Sequence, residues 1–207
     1  MTPTRHVCVD TLEHLESLYG EVAEASLHKE VDYIHPHYRA MIEASPFMVL
    51  ATSGPGGLDA SPRGDAAGFV VVEDEKTLLL PDRRGNNRID SLRNLLSNPR
   101  VGLLFLIPGR GETLRVNGRA RIAITPELLT RFAVDGKPPR SVLVIDVESV
   151  YFQCARAIVR AALWQADAHP AVALPSIGTI LSDLSNATID GSTYDRALPE
   201  RIRNTLY

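Results

Sequence analysis

Apolar residues follow two rhythms along the chain. Leu12, Leu15, Leu18, Val22 and Ala25 recur at spacings of three and four behind Asp10, a capping residue, which predicts an amphipathic helix over residues 10–27. A short helix is expected from Pro36 through Met41 to Ala44. Ile89, Leu92, Leu95 and Leu96 form a third helical stripe, which ends where Pro99 disfavours helix at Asn98. Elsewhere the rhythm is that of strands. Phe47–Thr52, Thr77–Leu80 and Val101–Ile107 are apolar runs of strand length, Gly68–Val72 and Ser141–Val147 are rich in β-branched residues, and Ser53-Gly54-Pro55-Gly56-Gly57 is a hairpin signal. Thr113 to Ile124 alternates cleanly. Leu114, Val116, Gly118, Ala120, Ile122 and Ile124 take one face, and Thr113, Arg115, Asn117, Arg119 and Arg121 the other.

Thr125-Pro126 opens a helix through Phe132, and Asp135–Pro139 reads as an exposed loop. Val150 to Trp164 predicts an alanine-rich closing helix, and the tail from Ala168 carries a short helix near Ile177–Leu184. About six strands joined mostly by hairpins predict a mainly β protein, a split antiparallel β-barrel with flanking helices, rather than a parallel doubly wound sheet. With 207 residues the chain suits one domain with extensions. The expected organisation is an N-terminal helical extension over 1–35, a barrel domain over 36–164 and a C-terminal tail over 165–207.

Charge singles out one stretch. Residues 83–121 hold nine arginines against two acids, while the formal net charge of the whole chain is −3. Bulk positive charge is therefore absent, and any anion site must be local. Pro81-Asp82-Arg83-Arg84-Gly85-Asn86-Asn87-Arg88 lies between an apolar strand and a helix start. Guanidinium forks, amides and unpaired helix N–H groups gathered there favour a phosphate; the plainer alternative is a solvated turn. Upstream, Pro62 cannot donate to a ladder and Gly64 allows close approach, so that strand should be irregular and open to a flat ligand.

Other chemistry is excluded or weak. Phe105 is the only aromatic between Arg83 and Arg121 and reads as core, against a nucleic-acid surface. The glycines at 54–57 are followed by no Lys-Ser/Thr pair and are no phosphate cradle. His35 and His37 lack a third ligand, so no metal is expected, and Cys8 and Cys154 read as buried or inert thiols in a reducing compartment. No run reaches the roughly 18 apolar residues of a membrane span, and the expected location is cytoplasmic.

Taken in order, strand, Ser61-Pro62-Arg63-Gly64-Asp65, strand, the 81–88 turn, helix, Asn98-Pro99-Arg100-Val101-Gly102-Leu103-Leu104-Phe105 and an arginine-bearing strand, the chain resembles the pyridoxamine-5′-phosphate-oxidase-like flavoproteins from Pro36 to Trp164. These are split barrels that bind FMN at a homodimer interface, and the likeness is greatest to FMN-dependent enzymes of undefined substrate. The resemblance implies that Ser61, Pro62 and Arg63 line the isoalloxazine and ribityl region, with Leu80 and Pro81 on the neighbouring strand. Arg83, Asn87 and Arg88 would take the phosphate, and Arg115 would reach the flavin from the partner subunit. Trp164 falls near the region where the authentic oxidases bring C-terminal residues to the cofactor, with a packing role as the alternative. Those oxidases end in an arginine-containing recognition segment that Asp183–Tyr207 lacks, which counts against vitamin B6 oxidation. The implied activity is an FMN-dependent oxidoreductase that takes a small-molecule substrate or electron donor, with hydride transfer at the flavin N5 and no side-chain nucleophile. The alternative is a non-catalytic flavin- or haem-binding module.

Overall fold

The computed structural model describes residues 6–169 and 172–207. The first five residues of the expected extension and residues 170–171 of the tail lie outside the described residues. The chain forms two compact units, Met1–Glu30 and Val31–Tyr207.

The first unit contains two short helices, α1 (Leu12–Ser17) and α2 (Glu24–His28), in place of the single helix expected over 10–27. Thr11 caps α1, its Oγ1 accepting from the His14 N–H at 3.2 Å, and the chain leaves the helix before Gly20, a poor helix former. Neither helix buries a residue. Propensity alone does not sustain so long a helix in water.

The second unit runs α3 (Pro36–Ala44), β1 (Phe47–Gly54), β2 (Gly57–Gly64), β3 (Val71–Asp74), β4 (Thr77–Pro81), α4 (Asp90–Ser97), β5 (Arg100–Leu106), β6 (Thr113–Ala123), α5 (Pro126–Arg131), β7 (Val142–Gln153), α6 (Arg156–Arg160), α7 (Ile177–Leu184) and α8 (Gly191–Asn204). Its strands form one seven-stranded sheet in the order β2-β1-β5-β6-β7-β4-β3. Every pairing is antiparallel. The mainly antiparallel architecture with flanking helices is the expected one, with seven strands. The return after the first hairpin, expected to be irregular, is instead a regular full partner of β1, in register from Phe47↔Gly64 to Gly54↔Gly57. It tolerates Pro62 because β2 lies at the edge of the sheet.

The alternation read in 113–124 holds from Leu114 to Arg121, whereas Ile124 lies beyond β6 and is exposed. Leu114, Val116 and Ala120 are buried against Met48, Leu50, Leu103, Phe105, Ile145 and Val150, while Arg115, Arg119 and Arg121 are exposed. β4 is buried on both faces, which explains its unbroken apolar run. Leu78 and Leu80 enter the main core, whereas Leu79 packs with Phe132, Val142 and the leucines of α5.

Three expectations are corrected. The closing helix over 150–164 is replaced by strand, short helix and turn: β7 extends to Gln153, because Val150, Tyr151 and Phe152 pair with β6, and α6 is only five residues long. The strand expected from Gly68 starts at Val71. Both cysteines are exposed and unbridged, not buried.

One packing contact positions the site. Asn94 of α4 is buried and donates Nδ2 to Thr52 Oγ1 at 3.1 Å. A Cβ at Gly54 would strike Asn94, so the glycine lets α4 lie directly on the β1–β2 hairpin. The start of α4 is thereby held beside β2.

Candidate functional site

The β4–β7 ladder pairs Pro81 with Val142, so the turn leaving β4 and the loop entering β7 emerge at the same end of the sheet. Together with β2, the first residues of α4 and Tyr207 they enclose a cleft of about 730 Å³. Ser61, Pro62, Arg63, Pro81, Arg83, Asn87 and Arg88 all line it. Leu80 does not: it is 1% exposed and belongs to the core. Arg115 stands on β6 outside its own chain's cleft, where its Nη1 donates to the Tyr151 hydroxyl at 2.9 Å.

The cleft has a polar floor. Arg63 donates Nη1 to Ser61 Oγ at 2.6 Å and to the Pro62 carbonyl at 3.1 Å, and Nη2 to Ser91 Oγ at 3.3 Å. Ser91 in turn donates to Asp59 Oδ2 at 2.5 Å. Asp82 lies 3.9 Å from Arg63. Burial pushes its carboxyl above the usual value, against the opposing pull of Arg63 and Arg140.

Arg83 is held by a partly buried pair. Its Nε meets Asp65 Oδ2 at 2.7 Å, its Nη1 donates to the Phe132 carbonyl at 2.7 Å, and the two side chains are 18% and 5% exposed. Burial acts to raise the Asp65 carboxyl. Hydrogen bonds from Tyr207, the Ala66 N–H and Arg83 outweigh that and hold it below the ordinary carboxylate value. The same carboxylate, by accepting the Tyr207 hydroxyl, holds that phenol above its usual value.

The rim is different. Among the described residues Arg84, Lys137 and Arg140 pair with no carboxylate, and Arg140 donates to Asn87 Oδ1 at 3.0 Å. Arg88 reaches Asp90 at 2.8 Å with its own side chain 75% exposed. Asn87 and Ile89 have φ of 61° and 54°, a region asparagine tolerates and a β-branched residue resists. Ile89 gives α4 no side-chain cap, so the first N–H groups of that helix lack a side-chain partner from the N-cap.

Sequence reasoning missed Asp59, Ser91, Lys137, Arg140 and Tyr207 as lining residues and gave Asp82, inside the turn, no role of its own. A usable signal existed for two of them, since Lys137 and Arg140 flank a diproline in Gly-Lys-Pro-Pro-Arg and share the sign of the 83–88 turn. Tyr207 carries no such signal. Trp164 lies outside the cleft lining and donates Nε1 to the Arg110 carbonyl at 2.6 Å. His35 serves at a helix entry, its Nδ1 accepting from the His37 N–H at 3.2 Å.

The arrangement suits a ligand with a flat polar body and a doubly charged anionic tail. The family pattern for pyridoxamine 5′-phosphate oxidase matches residues 34–154, more than half of the chain and all seven strands. The chain belongs to the pyridoxamine 5′-phosphate oxidase family. Family membership supports an FMN-binding split-barrel fold, and the match takes in every cleft-lining residue except Tyr207. No curated protein matches the sequence. Similar solved structures include HupZ of Group A Streptococcus, at 20% identity over 56% of this chain and 91% of that one, with a TM-score of 0.46. A Clostridium acetobutylicum protein related to general stress protein 26 of B. subtilis, of the pyridoxinephosphate oxidase family, is 15% identical over 57% and 86%, with a TM-score of 0.45. General stress protein 26 of Bacillus anthracis is 20% identical over 55% and 88%, with a TM-score of 0.40.

Proposed function

We propose that the cleft binds FMN, that two copies of the chain form a cytoplasmic homodimer with the cofactor at the subunit interface, and that the assembly is an FMN-dependent oxidoreductase acting on a small molecule. The observation that carries this reading is the rim: beside the start of α4, Arg84 from one loop and Lys137 and Arg140 from another converge, none of them in an ion pair among the described residues, and Arg88, paired with the partly exposed Asp90, stands next to them. Donor set and size both suit FMN, because a dianionic phosphate is the group such a rim holds best and the cleft lies within the range of cofactor sites.

Arg84, Arg88, Lys137 and Arg140, with the Asn87 amide, hold the phosphate. The partly buried Arg83–Asp65 pair fixes the turn beneath them. Ser61 and Pro62 back the flat ring system, and Arg63, steadied by Ser61 and Ser91, keeps a positive charge beside it that favours a negatively charged reduced ring. FMN, when bound, supplies hydride chemistry at its N5. Arg115 contributes from the second copy. A groove of about 460 Å³ with Met41, Ala44, Ile107 and Phe152 in its lining, together with His37, Arg110 and Glu112, supplies a mixed apolar and charged face for that copy.

An absorbance spectrum of the purified protein, mass analysis of the released cofactor and titration with FMN and riboflavin test the reading. Uptake of FMN at least tenfold tighter than riboflavin is expected from phosphate recognition, and uptake of neither ends the proposal. Anaerobic mixing of the flavin-loaded protein with NADH or NADPH should bleach the flavin; its persistence would leave a binding module without turnover. Light scattering should give the mass of two chains.

A further inference from the structure

α7 and α8 form a hairpin held largely by its own contacts. The Gly178 N–H donates to Asp195 Oδ1 at 2.8 Å, and Ser176 Oγ donates to Asp195 Oδ2 at 2.5 Å. A Cβ at Gly178 would collide with the backbone of Gly191, so this glycine is what lets the two helices meet. Gly178 is also the only residue of either helix that is buried. Among the described residues, the one hydrogen bond from 172–207 to the rest of this unit runs from the Tyr207 hydroxyl to Asp65 Oδ1, at 2.7 Å. The Arg83 guanidinium lies 5.6 Å from the centre of the same ring. Tyr207 thus reaches across 142 residues of sequence to stand in the wall of the cleft, on the carboxylate that also anchors the turn.

We infer that Tyr207 is a ligand-retention residue: latched to Asp65 it closes one end of the cleft, and entry or exit of the ligand requires the latch to open and the α7–α8 hairpin to swing away. The retention half of this inference rests on the FMN reading above; the latch does not. A hairpin with little buried surface and one polar anchor opens at low cost, which is the property a gate needs. The phenol also adds a second aromatic ring, besides Phe69, to a site otherwise built from charged, amide, hydroxyl and aliphatic groups, so a flat ligand meets it on leaving.

The test uses the full chain as wild type, Tyr207→Phe, which deletes only the hydroxyl, and Tyr207→Ala. In the flavin-free protein, hydrogen exchange is followed in peptides spanning 177–207, with peptides spanning 101–106 as internal reference. Loss of one hydrogen bond to a carboxylate should raise hairpin exchange about tenfold in Tyr207→Phe and leave the reference unchanged. In the loaded protein, FMN release on dilution is followed by recovery of flavin fluorescence. Release should be about tenfold faster in Tyr207→Phe and at least as fast in Tyr207→Ala. Unchanged hairpin exchange overturns the latch, and unchanged release from variants that do bind FMN overturns the retention role. A wild type that takes up no FMN defeats the functional reading instead, and the exchange result still decides the latch.

Discussion

Arg83 and Arg88 sit on the same turn and are used in opposite ways. Arg83 is shielded and its charge is met by Asp65, whereas Arg88 is three-quarters exposed and its partner Asp90 is itself on the surface. A paired, partly desolvated guanidinium holds the turn to the end of β2 and to the residue that follows α5. An exposed one remains available to an arriving anion. The same residue type in one short motif therefore supplies both frame and contact, and burial decides which.

The comparison breaks most visibly at the partly buried pair. Arg83→Ala or Asp65→Ala should each cost about 2 kcal/mol in denaturant unfolding, because each strands a partly buried charge. The double variant should lose less than the sum of the two. Because the folded Asp65 carboxyl lies below its ordinary value of 3.8, its contribution is complete above that pH and fades as pH falls through the folded value. Asp65→Ala should accordingly flatten the acid limb of the stability curve; an unchanged limb would place that acid sensitivity elsewhere.

At the rim the expected response moves from stability to affinity. Arg88→Glu should weaken FMN binding tenfold or more by titration, with the thermal midpoint close to wild type. A large fall in that midpoint would mean that Arg88 is frame after all.

Asp82 sharpens the comparison from the acidic side, since its carboxyl is raised by burial instead of lowered by a partner. Its protonated form is favoured in the folded chain, so its contribution is present below pH 3.8 and is lost as pH rises through the folded value. Asp82→Asn should be more stable than wild type at pH 7, by less than the loss at the partly buried pair, and the gain should vanish towards pH 3. The smallest effect is expected at Ile89. Replacing this left-handed β-branched residue by asparagine should raise stability by about 0.5 kcal/mol in the same unfolding assay.

Much of this was legible before any coordinates. Most strands announced themselves because one face or both faces are covered, β2 excepted, which buries no residue; the turn did so because an apolar strand, clustered arginines and a leucine stripe follow one another. The division of labour within the turn was not legible, since nothing local distinguishes Arg83 from Arg88 until Asp65 and Phe132 are placed beside the former. Lys137 belongs to the loop expected to be exposed, which it is, and Arg140, also exposed, follows that loop. Only the β4–β7 pairing reveals that this loop opens onto the same cleft. Residues 150–153 misled because alanines downstream suggested helix, while Val150 and Tyr151 were already committed to the β6 ladder. α8 went unseen because Pro199 interrupts an otherwise charged helical stretch.

Pro62 has a consequence beyond the cleft. As an outermost strand, β2 presents a border along which a stray extended segment could add and start an aggregate. A residue without an N–H in the middle of that border denies the newcomer a continuous row of bonds, and the neighbouring guanidinium makes the approach still less favourable to an apolar strand. The residue that helps line the cleft at this margin of the sheet is thus also the one that discourages polymerisation.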